Sequence, residues 1–263
     1  MRSRFVVAKD SGAGGDYAAW VDVESAGAGA VPAALVGVVN DLYRAFGRYG
    51  LRAHIEGCPC CTTEDDQKSV RVRSLRALTA DDLDRYLGKA MTTWGDADDF
   101  RHFLPRLLEL MVSDPDSSLY FDPRYLLPKL AYADWGSWPL KEQAAVKSFL
   151  LLRWEVGLTQ PPRFSSEHRE LEFDADEWLS GVGLTGLDPA PYVDTWQRLG
   201  TANTMAHIAA YLDSNPYLLT QGTCGPGRNA DPAGRFGEQM RVWLNACMDN
   251  PEFQEQLSAY YQS

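Results

Sequence analysis

Apolar side chains that recur every three or four positions, in segments separated by proline and glycine, constrain the fold of this chain most strongly. The first such segment lies between Pro32 and Gly50, where its apolar residues share one face of a helix. Proline favours the first turn of a helix, and glycine favours the position after the last turn. We therefore predict a helix here, with its apolar face formed by Leu35, Val39, Leu42 and Phe46.

Capping signals mark the start of the next helices. Thr79 and Asp82 form an imperfect capping box, since the usual third residue of a helix in this motif is Glu or Gln. Asp96 is a second candidate cap, and Pro105 inside the helix that follows predicts a kink or a break near His102. Further helices are predicted over 122–133, 138–157, 174–179, 189–199, 201–212, 233–248 and 251–261.

Strand signals are almost absent after residue 30, which indicates an all-α fold. Tryptophans close or interrupt several of the helical segments, as they do where stacked helix pairs bury aromatic rings between layers. We predict an irregular stack of antiparallel helix pairs, HEAT-like or α-solenoid-like. A Gly-rich arm or hairpin over 1–30 precedes one lobe over 31–158 and another over 170–263, with one continuous domain as the alternative.

The balance of charge excludes two classes of partner. The 263 residues carry a formal net charge of −11, which repels phosphate backbones and anionic lipids. We expect no nucleic acid and no membrane as partners, and a basic protein or a cation instead. The apolar run Phe5–Ala8 stops at Lys9, far short of a signal peptide, so a cytoplasmic location with reduced thiols is expected.

The densest chemistry lies in Cys58-Pro59-Cys60-Cys61, shortly after His54. Zinc takes four ligands, normally thiolates and imidazoles, so His54, Cys58, Cys60 and Cys61 are the candidate metal ligands. The side chains of the adjacent Cys60 and Cys61 diverge unless the backbone turns sharply.

The spacing of these cysteines departs from the standard zinc patterns, and three alternatives stay open. A distant ligand completes the zinc site in one of them, with Cys224, Cys247 and His207 as candidates. In the second, the cysteines carry out redox chemistry, although the βαβ context of thioredoxin-type motifs is missing. In the third, they are small apolar residues packed on the helices.

A second constellation follows Asp96. Asp99 and His102 share one helical face, as do His102 and Arg106. Arg101 directly precedes His102 in the sequence. A carboxylate, an imidazole and two guanidinium groups are therefore candidates for anion binding or proton transfer. The structural alternative is that acidic residues simply occupy the amino end of a helix, where its dipole favours them.

Four sequence blocks resemble a family of uncharacterised bacterial proteins. They are the cysteine knuckle beginning at Glu56, the stretch 75–79, Thr92-Thr93-Trp94-Gly95, and the block from Asp99 to Arg106. The resemblance covers most of the chain after residue 35. It implies a helical fold and a bacterial source, and it carries no established activity or catalytic residue.

Two functions compete at this point. The first is a helical interaction module, an adaptor or a neutralising partner, whose acidic surface attracts a basic protein. The second is a zinc-binding or thiol-dependent protein or enzyme centred on the cysteine knuckle. It requires the thiols to converge on one point, with each sulfur about 2.3 Å from a zinc ion.

Overall fold

The structure is a computed structural model that describes residues 30–114, 119–162, 173–215 and 235–262. These residues form helices that pack on helices, and no β-strand is present among them, so the prediction of an all-α fold is confirmed. The HEAT-like or solenoid arrangement stays a prediction. The predicted arm over 1–30 lies outside the described residues except for its last position.

The α-helices of the described residues agree in most places with the segments expected from apolar periodicity. In chain order they are α1 (Val36–Phe46), α2 (Glu64–Ser69), α3 (Ala80–Lys89), α4 (Ala97–Ser113), α5 (Pro123–Leu126), α6 (Pro128–Tyr132), α7 (Leu140–Thr159), α8 (Ala175–Leu184), α9 (Ala190–Leu199), α10 (Ala202–Ser214), α11 (Arg235–Met248) and α12 (Pro251–Gln262). Short 3₁₀ helices occur at Ala33–Leu35, Leu75–Ala77, Leu119–Phe121 and Trp135–Ser137.

The predicted caps are confirmed. The Thr79 side chain accepts a hydrogen bond from the Asp82 amide, and the Asp82 carboxylate accepts one from the Thr79 amide. Asp96 accepts hydrogen bonds from the amides of Asp98 and Asp99 at the start of α4. Aspartate thus replaces the Glu or Gln of the usual capping box, because its shorter side chain also reaches the cap amide.

Two expectations about proline need correction. Pro105 lies inside α4, but the helix continues through it to Ser113, so the expected break near His102 is wrong. Buried apolar residues on both sides of Pro105 hold the helix together despite the lost amide donor. The single helix expected over 122–133 is divided at Leu127, because Pro128 begins a new helix there.

Two compact units divide the chain. Among the described residues, the first contains 30–114, 119–153 and 180–187, and the second contains 154–162, 173–179, 188–215 and 235–262. The lobes predicted over 31–158 and 170–263 stay a prediction.

In the first unit, α1 packs on α4, and α3 packs on both α2 and α4. The core between them contains fully buried aromatic rings, which account for the apolar faces seen in the sequence. Tyr86 lies 4.4 Å from Phe103 and 5.3 Å from Trp94, measured between ring centroids. This aromatic layer supports the loop that carries the cysteines, because Trp94 belongs to the segment that pairs with it.

In the second unit, tryptophan rings form the core as the sequence predicted. Trp154 and Trp196 meet edge to face with ring centroids 5.0 Å apart, and Trp196 lies 5.4 Å from Trp243. The indole Nε1 of Trp154 donates a 2.9 Å hydrogen bond to the Tyr192 carbonyl, so its polar atom is satisfied inside the core. Helix α11 packs on α9 and α12, and α12 also packs on α10.

A search of the described helices for a membrane span finds none with the required length and apolar character.

Candidate functional site

The cysteine segment is attached to the first unit through a short stretch of strand-like pairing. The Cys58 amide donates a 2.8 Å hydrogen bond to the Thr93 carbonyl, and the Gly95 amide donates a 2.7 Å bond to the Glu56 carbonyl. These bonds produce an isolated antiparallel bridge between Gly57 and Trp94. The pairing fixes the backbone on the amino side of the cysteines.

Helix α2 fixes the segment from both sides. Ahead of the cysteines, the buried Gln67 side chain accepts a hydrogen bond from the Ile55 amide and donates one to the Ile55 carbonyl. Behind them, Thr63 caps α2 in a capping box with Asp66. The first turn of α2 is acidic, as its dipole favours. The cysteines therefore lie in a loop whose two ends are both held by α2.

Between these anchors the backbone turns tightly, and we call residues 57–62 the cysteine turn. The amides of Cys61 and Thr62 both donate 2.9 Å hydrogen bonds to the Cys58 carbonyl. Gly57 packs so closely on Thr62 that a Cβ atom there would lie 2.7 Å from Thr62 Oγ1. This is the sharp turn that neighbouring cysteines need in order to point to the same side.

The turn brings three sulfur atoms together. Cys58 Sγ lies 2.8 Å from Cys60 Sγ, and Cys60 Sγ lies 3.6 Å from Cys61 Sγ. All three sulfurs are within 4.8 Å of one another. Cys60 is exposed and the other two are half-buried, so the group is accessible from solvent. Four thiolates at 2.3 Å from a tetrahedral zinc ion lie about 3.8 Å apart. The separation of Cys60 Sγ and Cys61 Sγ is close to this value, and that of Cys58 Sγ and Cys60 Sγ is shorter.

The three thiols do not have equal proton affinities. The hydrogen bond from the Cys60 thiol lowers the pKa of Cys58, and backbone hydrogen bonds from Cys60 and Cys61 lower it further. The same hydrogen bonds to Cys58 and Cys61 raise the pKa of Cys60 to about 11, because Cys60 serves as the proton donor. A metal ion that binds all three sulfurs as thiolates displaces the protons that they carry.

A positive charge lies beside the turn. The Lys89 ammonium group donates hydrogen bonds to the Cys61 carbonyl and, at 3.2 Å, to Asp66 Oδ2. Asp66 is 3% exposed and also pairs with Arg85. Burial raises the pKa of Asp66, but hydrogen bonds from the Thr63 amide and Lys89 outweigh it, so the net pKa is lowered. The Asp66 carboxylate therefore anchors Lys89 at the cysteine turn.

The fourth proposed zinc ligand is not part of the group. His54 is exposed, and the described metal-ligating groups within 4.8 Å of one another at this site are the three thiols alone. Of the distant candidates, Cys224 lies outside the described residues. Cys247 and His207 belong to the second unit, where the His207 ring nitrogen Nε2 lies 3.1 Å from the Gln160 carbonyl.

In the second constellation, Asp99 serves as part of a helix cap. Its Oδ2 accepts hydrogen bonds from the Asp96 amide and from Arg52 Nη1, each at 3.1 Å. Burial raises the pKa of Asp99, and the neighbouring Asp96 charge adds to this despite the opposing effects of the cap and of Arg52. Asp99 is only 4% exposed, which leaves little of it open to a ligand.

Arg101 and His102 lie against the Tyr49 segment. The Arg101 guanidinium carbon lies 4.6 Å from the Trp138 ring centroid and 5.4 Å from that of Tyr49. The His102 Nδ1 lies 2.8 Å from the Tyr49 carbonyl oxygen. Both side chains thus connect α4 to the chain after α1, and Arg101 also contacts Trp138, which lies just before α7.

Arg106 has a third set of partners. Its Nε donates a 2.7 Å hydrogen bond to the Leu78 carbonyl, and its Nη1 lies 2.7 Å from Glu109 Oε2. The Tyr43 hydroxyl donates to the same carboxylate at 2.5 Å. Asp99 and Arg106 thus have partners of their own, and Arg101 and His102 share Tyr49 as a neighbour. A binding site formed by these four residues stays a prediction.

Sequence reasoning missed the residues that hold the cysteine turn, above all Thr93, Lys89 and Gln67. Thr93 belongs to the Thr92–Gly95 block, which the sequence singled out without giving it a role. The sequence signal for this contact was that the block and the cysteine knuckle occur together in the resemblance. The structure shows that the two segments pair directly.

Comparison of the chain with protein-family models, curated proteins and solved structures finds no match.

Proposed function

We propose that the protein binds a thiophilic metal ion through the thiolates of Cys58, Cys60 and Cys61. Zinc is the ion that we expect. The observation that supports this is the convergence of three sulfur atoms within 4.8 Å of one another. Thiolates prefer soft and borderline ions, and zinc is the commonest of these in four-coordinate protein sites.

The alternative functions of the cysteines are less well supported. A buried apolar role does not fit a group that includes an exposed cysteine and two half-buried ones. Thioredoxin-type chemistry places its cysteines in a βαβ context, whereas the described residues around this turn form helices and no β-strand. Metal binding, in contrast, makes use of three sulfurs that lie close to one point.

The test is metal analysis combined with thiol counting on the full chain. We expect one equivalent of zinc in protein purified without chelators, and its loss in the Cys60→Ser variant. The matched control is Cys247→Ser, which removes a half-buried thiol in the second unit and should keep the metal. Wild-type protein that takes up no zinc, cobalt or copper(I), with all thiols titrating freely, would refute the proposal.

The acidic composition supports a second proposal, that the protein is an interaction module for a basic protein partner. Its basis is the formal net charge of −11, which attracts positively charged surfaces and speeds their association. We expect a specific complex whose affinity falls as salt is added. A pull-down at low salt that recovers no basic partner, or a complex insensitive to ionic strength, would count against this charge-based mechanism.

A further inference from the structure

The number of ligands at the cysteine turn determines what kind of metal site it forms. Zinc takes four ligands, and sites with three protein ligands keep the fourth position for water or an incoming molecule. At the turn, the ligand atoms that the described residues bring within 4.8 Å are three sulfurs, with no imidazole or carboxylate among them. The described residues therefore leave one coordination position without a ligand.

The three sulfurs lie where solvent can reach them. On the inner side of the turn, the Cys58 amide bonds to Thr93 and the Gly57 backbone packs on Thr62. Exposure is greatest at Cys60, in the middle of the three. A metal ion that contacts all three sulfurs is therefore approached from solvent.

The turn does not need a metal ion to keep its shape. Backbone hydrogen bonds to Thr93 and within the turn, the contact of Lys89 with the Cys61 carbonyl, and the Gln67 contacts at Ile55 all come from the protein itself. The folded chain therefore presents the three sulfurs to a metal ion without a prior ordering step.

We infer that the cysteine turn is an open three-thiolate zinc site whose fourth ligand is an exchangeable donor from outside the chain, a low-molecular-weight thiol. This inference rests on the proposed zinc binding and goes beyond it in naming the ligand. A thiolate matches the softness of the other three ligands. The Lys89 ammonium beside the Cys61 carbonyl offsets part of the negative charge that a fourth thiolate adds.

X-ray absorption of the zinc-loaded full chain tests the inference directly. We expect three sulfur atoms and one oxygen or nitrogen around zinc in thiol-free buffer, and four sulfur atoms after glutathione is added, with one zinc still bound per chain. The cobalt(II) form gives a second readout, because its visible absorption bands should shift with glutathione. The Cys247→Ser variant should behave as the wild type does.

Each outcome has a distinct meaning. Four sulfur atoms without added thiol would show a closed site and overturn the inference while leaving zinc binding intact. Three sulfurs that stay unchanged in glutathione would overturn the thiol as the ligand. Protein that takes up no metal would refute the proposed function itself, and the inference with it.

Discussion

Replacing Gly57 by alanine should destabilise the first unit, because the cysteine turn has no room for a methyl group there. A Cβ atom at this position would lie 2.7 Å from Thr62 Oγ1, 3.1 Å from Thr62 Cβ and 3.3 Å from Thr62 Cγ2. Thr62 cannot move away freely, since its amide bonds to the Cys58 carbonyl and Thr63 caps α2 immediately after it.

Two opposing effects set the size of the change. Overpacking at a closely fitted position costs about 1–3 kcal/mol. Alanine also lowers the conformational entropy of the unfolded chain relative to glycine. This stabilises the folded state by about 0.4–1 kcal/mol where the native backbone conformation suits alanine. Gly57 is not among the described glycines with positive φ, so no backbone strain is added. The free energy of unfolding should fall by about 1–2 kcal/mol.

Urea denaturation, followed by circular dichroism, measures this change, and a double-mutant cycle assigns it. Thr62→Ala removes Oγ1 and Cγ2, leaving only the 3.1 Å contact with Cβ. In that background, Gly57→Ala should cost about 1 kcal/mol less. The matched control is Gly50→Ala, where nothing lies within 4 Å of the added Cβ and no loss is expected. Equal losses from Gly57→Ala in both backgrounds would refute the steric explanation.

Three further predictions concern the first unit. Asp66→Asn should lower the free energy of unfolding by about 1–3 kcal/mol at pH 7, because a buried carboxylate loses charged hydrogen bonds. The folded-state pKa of Asp66 is lowered, so its stabilisation exists above the ordinary aspartate pKa and disappears as pH falls through the folded value. The gap between variant and wild-type urea midpoints should therefore close in acid, and a constant gap would contradict this. Arg101→Lys should cost about 0.5–1 kcal/mol by losing its stacking on Trp138, again measured by urea denaturation, and an unchanged midpoint would argue against that contact. Gly181→Ala should cost about 1–3 kcal/mol despite better helix propensity, because its Cβ would lie 2.6 Å from a backbone oxygen of α5, whereas Gly37→Ala, with open space around it, should stabilise by about 0.5–1 kcal/mol.

The helix starts were predictable because their signals are local. The Thr79 capping box needs only a hydroxyl and a carboxylate three positions later, and the structure forms it from the two residues that the sequence indicated. The effect of Pro105 was less predictable, since the lost amide donor was visible in the sequence but the packing that keeps α4 continuous was not.

The candidate metal ligands, too, were only partly predictable from the sequence. Sequence grouped His54 with the three cysteines by proximity along the chain. In the structure, Gln67 holds the backbone of the neighbouring Ile55, whose side chain is buried. His54 is exposed and lies outside the thiol group. Four residues of non-helical chain span up to about 13 Å, so closeness in sequence did not ensure closeness in space.

The sequence by itself determined that this protein is helical and where most of its helices begin, because apolar periodicity and capping act within about four residues. Only the tertiary structure decided that three sulfurs meet at one exposed turn, and that Asp99 and Arg106 have partners of their own. The contacts responsible join distant parts of the chain, such as Lys89 with Cys61 across 28 positions and Thr62 with Thr93 across 31. They exist only once α2, α3 and α4 have packed, and no local pattern in the sequence specifies them.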